Sequence, residues 1–596
     1  MTIPRAWEHI PERSVLREVV RTLDEAGDLG PPALASALRR PIAMDDVAPW
    51  IQFDPHNYRR NLVARTDRWE LRLHCWRPGQ TTTLHGHGAS ACAFRVIRGS
   101  AFETRIGARD AVLPPGSLVD ESAGGLVHQV GNAANDALLT LHAYAPPLPI
   151  DAPSARAGRS VVIVGGGASG IAVAVHLLAR NSPDLRVYVV ERGPWIGRGV
   201  AYGVESGVFR LNVPAGKMSL DPRRPGDFAE WAGADPGEFL GRAAYGSYLE
   251  ARLADAVRAS PAKVRIVRGD VVAADHEGVL LADGRRIDAE AVVLATGIAP
   301  RVAPSELPVD SRVVDAWDEC ALAALPREGA ILVLGAGLSA LDVVALCEAQ
   351  GHRGSLTILS RRGLLPRPHL SPSSGGAPTG VPPATAAAAP RALRPLIRWV
   401  RDHVLEQTRA GRPWQHALDA LRPHTASLYR GLPAAERARF VRSVRPYWEV
   451  LRHRAPPESL DRIARLRSHG SLEVVAGRVA RCTSRGEGLD VEIALAGGGF
   501  RTSRYDAIVR CIGPALDPSE AQTPLVRALV ESGLAKPDAA GLGIETDEEG
   551  RVVTPSGRPS ERLYALGAVR RASSWEVTAM PDITGQALAL AAHLVP

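Results

Sequence analysis

A small all-β barrel, joined to an α/β protein with two dinucleotide-binding folds and a helical insertion, is the architecture this 596-residue sequence predicts. Three observations carry that expectation. Between Trp50 and Pro147 the chain runs in short alternating strands (WELRLHCW, CAFRVIRGSAFETRI, GGLVHQVGN, ALLTLHAYAPPL) separated by Gly, Pro and Asn turns, a spacing that suits a barrel or sandwich. From Ser160, SVVIVGGGASGIAVAVHLLAR and RVYVVERG read as strand, glycine turn, helix and strand. Near Ala330 the same grammar returns in AILVLGAGLSALDVVALCEAQG and SLTILSRRG, so two βαβ units stand in one chain.

The elements then fall into order. Residues 1–45 read as helical, as in SVLREVVRTLDEAG, and with the barrel they make a unit at 1–150. A Pro/Ala-rich linker follows at 151–158. The first βαβ unit opens a dinucleotide-binding domain at 159–325. The second lies at 326–510, interrupted at about 371–468 by the low-complexity loop SPSSGGAPTGVPPATAAAAP and helical sequence. Residues 511–596, more strand and a final helix GQALALAAHLV, return to the first domain.

Composition narrows the function. The length suits three to four domains, and 45% hydrophobic with 23% charged residues is that of a globular protein. The net charge is +7, but arginines and acids interleave and no basic tract alternates with aromatics, which argues against nucleic acid as a partner. The charge suits anionic cofactors and substrates instead. Six scattered cysteines without a CxxC argue for a reducing compartment and against a disulfide reductase. No signal-peptide pattern and no apolar run near 18 residues stand in the sequence, so a cytoplasmic protein without a membrane partner is expected.

The stretch LHGHGASACAFRVIRG, Leu84 to Gly99, sets His85 and His87 two residues apart. On a strand, side chains repeat with period two, so both imidazoles face one way and make half a metal site. His128, in GLVHQVGN, completes a three-histidine face. Zinc also accepts three histidines, so these ligands alone do not choose the metal.

The wider segment NYRRNLVARTDRWELRLHCWRPGQTTTLHGHGASACAFRVIRGSAFET resembles the cupin thiol dioxygenases, cysteine dioxygenase in particular, over about residues 50–148. The resemblance implies a cupin barrel holding Fe(II), with His85, His87 and His128 as ligands. It implies that Arg60, with Tyr58 beside it, holds the substrate carboxylate through its planar fork. Cys92 and Tyr144 match a pair that forms a thioether cross-link beside the iron. Thr140, His142 and Tyr144 match a Ser-His-Tyr relay, with Thr in place of Ser. The implied substrates are a small thiol amino acid such as cysteine and dioxygen, and the implied product is a sulfinate.

In the first βαβ unit Gly165, Gly167 and Gly170 satisfy GxGxxG and open a helix, where backbone N–H groups approach a pyrophosphate. Glu191 ends the second strand, where an acid binds a ribose hydroxyl pair. GRGVAYG, LNVPAGKMS, the VVLATG strand ending at Gly297, and YALGAV with Gly567 resemble two-dinucleotide flavoproteins related to flavin-dependent monooxygenases. That implies FAD on the first unit, with Gly297 and Gly567 near it, although Gly567 is followed by Ala rather than the usual Asp. Gly335, Gly337 and Ala340 of the second unit then bind the nicotinamide cofactor. Its second strand runs into Arg361 and Arg362 instead of an acid, which suits the 2′-phosphate of NADPH.

Together the resemblances imply a bifunctional oxygenase: Fe(II)-dependent dioxygenation of a thiol to a sulfinate, then FAD- and NADPH-dependent monooxygenation of sulfur or nitrogen, towards a sulfonate or sulfonamide. Two alternatives stay open. The flavin half could be an NADPH-dependent reductase serving the iron, or the barrel a non-catalytic sensor of sulfur amino acids. Separate hydrophobic cores are expected for the two halves.

Overall fold

The computed structural model describes residues 9–121, 126–148, 158–297, 301–370, 383–513, 515 and 524–596. The linker read at 151–158 therefore lies outside the described residues except for Gly158, as does 371–382 of the low-complexity loop. Two helices, Val15–Glu25 and Pro31–Leu38, come first. Ser14 caps the first, its hydroxyl accepting from the Leu16 N–H, and Pro31 starts the second where no N–H is needed. Leu16, Val19, Val20 and Leu23 turn one helical face into the core.

That face lies on a barrel of eight strands. These are β1 (Arg59–Arg65), β2 (Glu70–Trp76), β3 (Ala91–Arg98), β4 (Ala101–Arg105), β5 (Ala111–Leu113), β6 (Leu118–Glu121), β7 (His128–Asn132) and β8 (Leu138–Ala145). They form a sheet in the order β1-β2-β8-β3-β6 and a smaller one, β5-β4-β7. Period two sorts their side chains. Leu71, Leu73, Ala93, Leu139 and Leu141 pack on the two helices. His74, Trp76, Cys92, Phe94, Thr140, His142 and Tyr144 take the opposite face, inside the barrel.

The next sheet orders β11 (Lys263–Arg268), β10 (Arg186–Glu191), β9 (Ser160–Val164), then Ala291–Leu294, Pro559–Ala565 and Arg551–Val553. All neighbours but the last pair run parallel, and the C-terminal segment returns to this sheet. Burial on both faces explains the unbroken apolar run SVVIV. The last sheet has seven strands, in the order Val313–Asp315, Ala507–Arg510, Ala330–Leu334, Ser355–Ser360, Leu472–Arg485, Gly488–Leu495 and Phe500–Tyr505. Val313–Asp315 pairs in parallel with Ala507–Arg510, so the sheet of the second βαβ unit also takes a strand from before residue 326. A three-residue strand carries too little pattern to reveal its partner. The insertion folds as helices from Leu393–Arg409 to Pro457–Ser468, and those as far as Arg445–Arg452 surround an apolar cavity of about 750 Å³. Among the described residues no helix is long and apolar enough to cross a membrane.

The barrel covers the open edge of the first dinucleotide sheet. The Leu84 N–H donates to Val264 O of β11 at 2.7 Å. The Gln129 carboxamide donates to Ile266 O at 2.8 Å and accepts from the Ile266 N–H at 2.9 Å. Arg268 donates to both oxygens of Asp110, at 2.6 and 2.8 Å. Leu84 and Val127 are buried in the same cluster as Leu253, Val264 and Ile266. The expected separate cores are thereby corrected: the barrel contributes to the core of its neighbour, because an unpaired edge strand has to be covered.

Candidate active sites

His85 and His87 do not lie on a regular strand. Their segment is held by isolated bridges, Leu84 to Val264 on one side and His85 to His128 on the other. Pairing with His128 still brings the three rings together, in a pocket where one nitrogen of each lies within 4.8 Å of the others. His85 Nδ1 lies 2.8 Å from Thr83 O, and His128 Nδ1 lies 2.8 Å from Glu103 Oε1 and 2.9 Å from Glu121 Oε1. His87 Nδ1 stands 3.2 Å from Glu121 Oε2. The acceptors beside His85 and His128 favour a proton on Nδ1 and leave Nε2 towards the pocket, while His87 Nδ1 and Glu121 lie close without a hydrogen bond. His87 Nε2 and His128 Nε2 are 3.4 Å apart, a separation that a shared proton or a shared metal ion can bridge.

Electrostatics agree. Burial, reinforced by His128, pushes His85 down to about 3 and His87 down to about 2. Burial acts the same way on His128, but Glu103 and Glu121 outweigh it and raise that imidazole to about 9. A metal entering the pocket displaces this one proton, and the donor set fits a divalent ion.

Thr140, His142 and Tyr144 alternate along β8 and so share a face. His142 Nε2 lies 2.9 Å from Thr140 Oγ1, and the Tyr144 hydroxyl lies 3.2 Å from His142 Nδ1. Trp76 Nε1 donates to Thr140 Oγ1 at 2.9 Å. Burial holds His142 well below the usual histidine range and Tyr144 well above the usual phenol range. Cys92 and Tyr144 stand directly opposite each other in the β3–β8 register. Tyr58 stacks on Trp76 with centroids 4.2 Å apart and planes at 11°. Arg60 stands directly opposite His74 in the β1–β2 register, and His74 stacks on His142 of the relay. Sequence reasoning missed His74, Trp76, Glu103 and Glu121; only the period-two parity of β2 marked the first two.

The glycine turns follow their motifs. Gly165 has φ +105°, and a Cβ there would stand 2.4 Å from Ala295 O; Gly335 has φ +115°, and its Cβ would stand 2.2 Å from Cys511 O. Neither position admits a side chain. Gly167 and Gly337 cap the helices Ala168–Leu178 and Leu338–Ala349, with Gly170 and Ala340 buried in their first turns. The Glu191 carboxylate accepts from the N–H groups of Gly166 (2.8 Å) and Gly193 (2.7 Å), which fixes it beside the first turn. A Cβ at Gly567 would meet Ser169 Oγ at 2.8 Å, so the C-terminal strand ends against that same turn despite the missing Asp. Gly297 lies just beyond Ala291–Leu294, the neighbour of β9. Arg361 and Arg362 follow Ser355–Ser360, with Arg361 exposed and the Arg362 guanidinium 5.6 Å from the Tyr447 ring centroid.

A cavity of about 390 Å³ opens where these domains meet the helical insertion. Asn212, Lys217 and Ser219 of LNVPAGKMS line one side, and Arg422, Arg452, Arg454, Glu576 and Asp582 the other. The charges are paired: Arg422 with Asp582 at 2.8 Å, Arg452 with Glu576 at 3.0 Å, and Arg454 with Asp419. His369 Nε2 lies 2.8 Å from Asn212 O, and burial with the Arg454 charge pushes this histidine down to about 4. None of the insertion residues belonged to a motif, and no sequence spacing relates them.

Residues 42–152 match the family model "Cysteine dioxygenase type I", and residues 162–299 match "FAD-NAD(P)-binding". Cysteine dioxygenase type 1 of Danio rerio is 28% identical over 112 residues, 16% of this chain and 55% of that protein. The Homo sapiens protein of the same name is 27% identical over 115 residues, 17% of this chain and 56% of its own length. The chain thus spans about half the length of these curated relatives. The ornithine N-hydroxylase of Kutzneria sp. 744 superposes with a TM-score of 0.52 at 16% identity, covering 73% of this chain and 99% of that one. The FAD-bound cadaverine monooxygenase of Erwinia amylovora gives 0.52 at 14%, covering 73% and 94%. The chain therefore joins a cupin domain of the cysteine dioxygenase type to an FAD/NAD(P)-binding flavoprotein with the fold of flavin-dependent monooxygenases.

Proposed function

We propose that the protein oxygenates a small thiol amino acid twice: the barrel converts the thiol of cysteine or a close relative into a sulfinate, and the flavin half then monooxygenates sulfur or nitrogen of that product. The convergence of the three imidazoles, with Arg60 on the strand next to His74 and the Thr140–His142–Tyr144 relay beside them, carries the reading. His85, His87 and His128 would hold Fe(II), which when bound offers places for thiolate, amine and dioxygen together. Arg60 binds the carboxylate and fixes which end of the substrate faces the histidines. Tyr144 holds a proton at its hydroxyl, steadied by His142, and can give it to charge that develops beside it. Cys92, opposite Tyr144, is placed for the thioether that would immobilise this phenol. Tyr58, Trp76 and Phe94 keep bulk water out.

In the flavin half, the turns at Gly165 and Gly335 would hold FAD and NADPH, which when bound supply reducing equivalents and oxygen chemistry. Arg361 and Arg362 would take the 2′-phosphate. The paired charges of the 390 Å³ cavity suit a zwitterion, because Arg422 or Arg452 can turn to an incoming carboxylate or sulfinate while Asp582 or Glu576 turns to the ammonium.

The test is mass spectrometry of products from labelled cysteine and dioxygen, with and without NADPH. Sulfinate alone is expected without NADPH, and a further oxygen per molecule with it, at one NADPH each. Sulfinate in both reactions, with NADPH use far below product, overturns the second stage. No sulfinate in either overturns the first.

A further inference from the structure

Among the imidazoles of the barrel pocket, one has nothing to bond to. His85 faces Thr83, His87 meets His128 through Nε2, His128 faces Glu103, and His142 lies between Thr140 and Tyr144. His74, in the middle of β2, is 3% exposed, and neither of its ring nitrogens has a hydrogen-bond partner. A buried polar group left unpaired costs stability, and an isosteric apolar residue avoids that cost. Phe94, fully buried and stacked on His142 inside the same barrel, shows that an apolar side chain packs well there. The histidine therefore calls for a partner that enters from outside.

Its neighbours define that partner. In register, His74 lies directly across from Arg60 on β1 and from Thr140 on β8. Cross-strand neighbours on one face have Cβ atoms only about 4.5–5.5 Å apart, so His74 and Arg60 serve the same volume. The ring stacks on His142 with centroids 3.9 Å apart and planes at 19°, and it lies 5.6 Å from Tyr58. Stacking occupies a ring face and leaves the edge, with its two nitrogens, for polar contact. Burial, aided by the charges of His142, Arg60 and Arg72, holds the imidazole neutral, with one N–H to give. A group met by a guanidinium and a neutral N–H together is an anion with several lone pairs.

We propose that His74 is a specificity-determining residue: its ring N–H donates to the same substrate carboxylate that Arg60 holds, and so favours thiols that carry one. This deepens the reading of the barrel as a thiol oxygenase and rests on it. The wild-type enzyme should then prefer cysteine to 2-aminoethanethiol, which lacks the carboxylate, by more than Arg60 alone would provide.

Wild type, His74→Leu, His74→Met and His74→Gln would be compared for iron content, KM and kcat with both thiols, and cysteine affinity by anaerobic calorimetry on iron-loaded protein. Leu and Met fill the space without a polar atom, whereas Gln restores a donor, and two apolar variants guard against one that fails to fold. Iron content should stay at the wild-type level. The preference for cysteine should fall about tenfold in the apolar variants, in KM and in the calorimetric affinity alike, as expected for one lost hydrogen bond to a charge. Gln should recover most of it. An unchanged preference in the apolar variants overturns the proposal, and His74 is then packing only. A wild-type protein that neither binds nor oxidises cysteine overturns the reading of the barrel itself, together with this role for His74.

Discussion

The barrel pocket and the glycine turns bind in opposite ways. In the barrel the candidate groups are side chains, and two of the candidate ligands are held by another group: His85 by Thr83 and His128 by Glu103. In the turns function sits in the backbone, where Gly165 and Gly335 leave no room for a single added carbon. The barrel fails by subtraction and the turns fail by addition. That contrast can be tested directly.

The largest effect is expected from one variant in each region. His87→Ala should leave almost no iron while the flavin absorption stays, and Gly165→Ala should leave almost no FAD while iron stays, since the new methyl meets Ala295 O and φ +105° is strained for any other residue. Metal analysis and visible spectra read both. Loss of both cofactors in either folded variant would break the comparison. A smaller effect is expected behind the ligands. Glu103→Gln keeps an acceptor for the His128 N–H but removes its charge, so metal affinity measured against a chelator should fall roughly 10–100-fold; unchanged affinity would mean the carboxylate only fills space. The smallest effect belongs to the double replacement of Arg361 and Arg362 by Ala. KM for NADPH should rise about tenfold with KM for NADH little changed, because only NADPH carries the 2′-phosphate. Equal rises would assign these arginines to structure.

How much could be read in advance follows the same division. His85 and His87 are two residues apart, and the glycines of each turn lie within six residues, so local spacing exposes them. His74 carried a legible parity on β2 but no motif. Glu103 and Glu121 looked like ordinary strand acids, because nothing local says that β4 pairs with the strand of His128 or that Glu121 ends beside His87 and His128. The charged cavity was invisible for a stronger reason: Asn212, His369, Arg422, Arg452 and Asp582 meet only once three domains are in place. The docking of Gln129 on Ile266 was hidden likewise, since any strand can be an edge until its neighbours are known.

That docking ties two equilibria together. The segment that closes the exposed side of β11 runs directly into His85, and Gln129, which grips Ile266 by both backbone groups, is the next residue after His128. Whatever binds the histidines therefore also stabilises the closure of the neighbouring sheet, and the free energy of metal binding is shared as mass action across the boundary. Metal starvation would then lower the resistance of the flavin half to unfolding while its FAD stays bound, although no candidate metal ligand belongs to it. The reverse also follows. A flavin half cut free near residue 158 would present β11 bare to other copies of itself, so the barrel acts for its neighbour as a built-in chaperone against strand-to-strand aggregation.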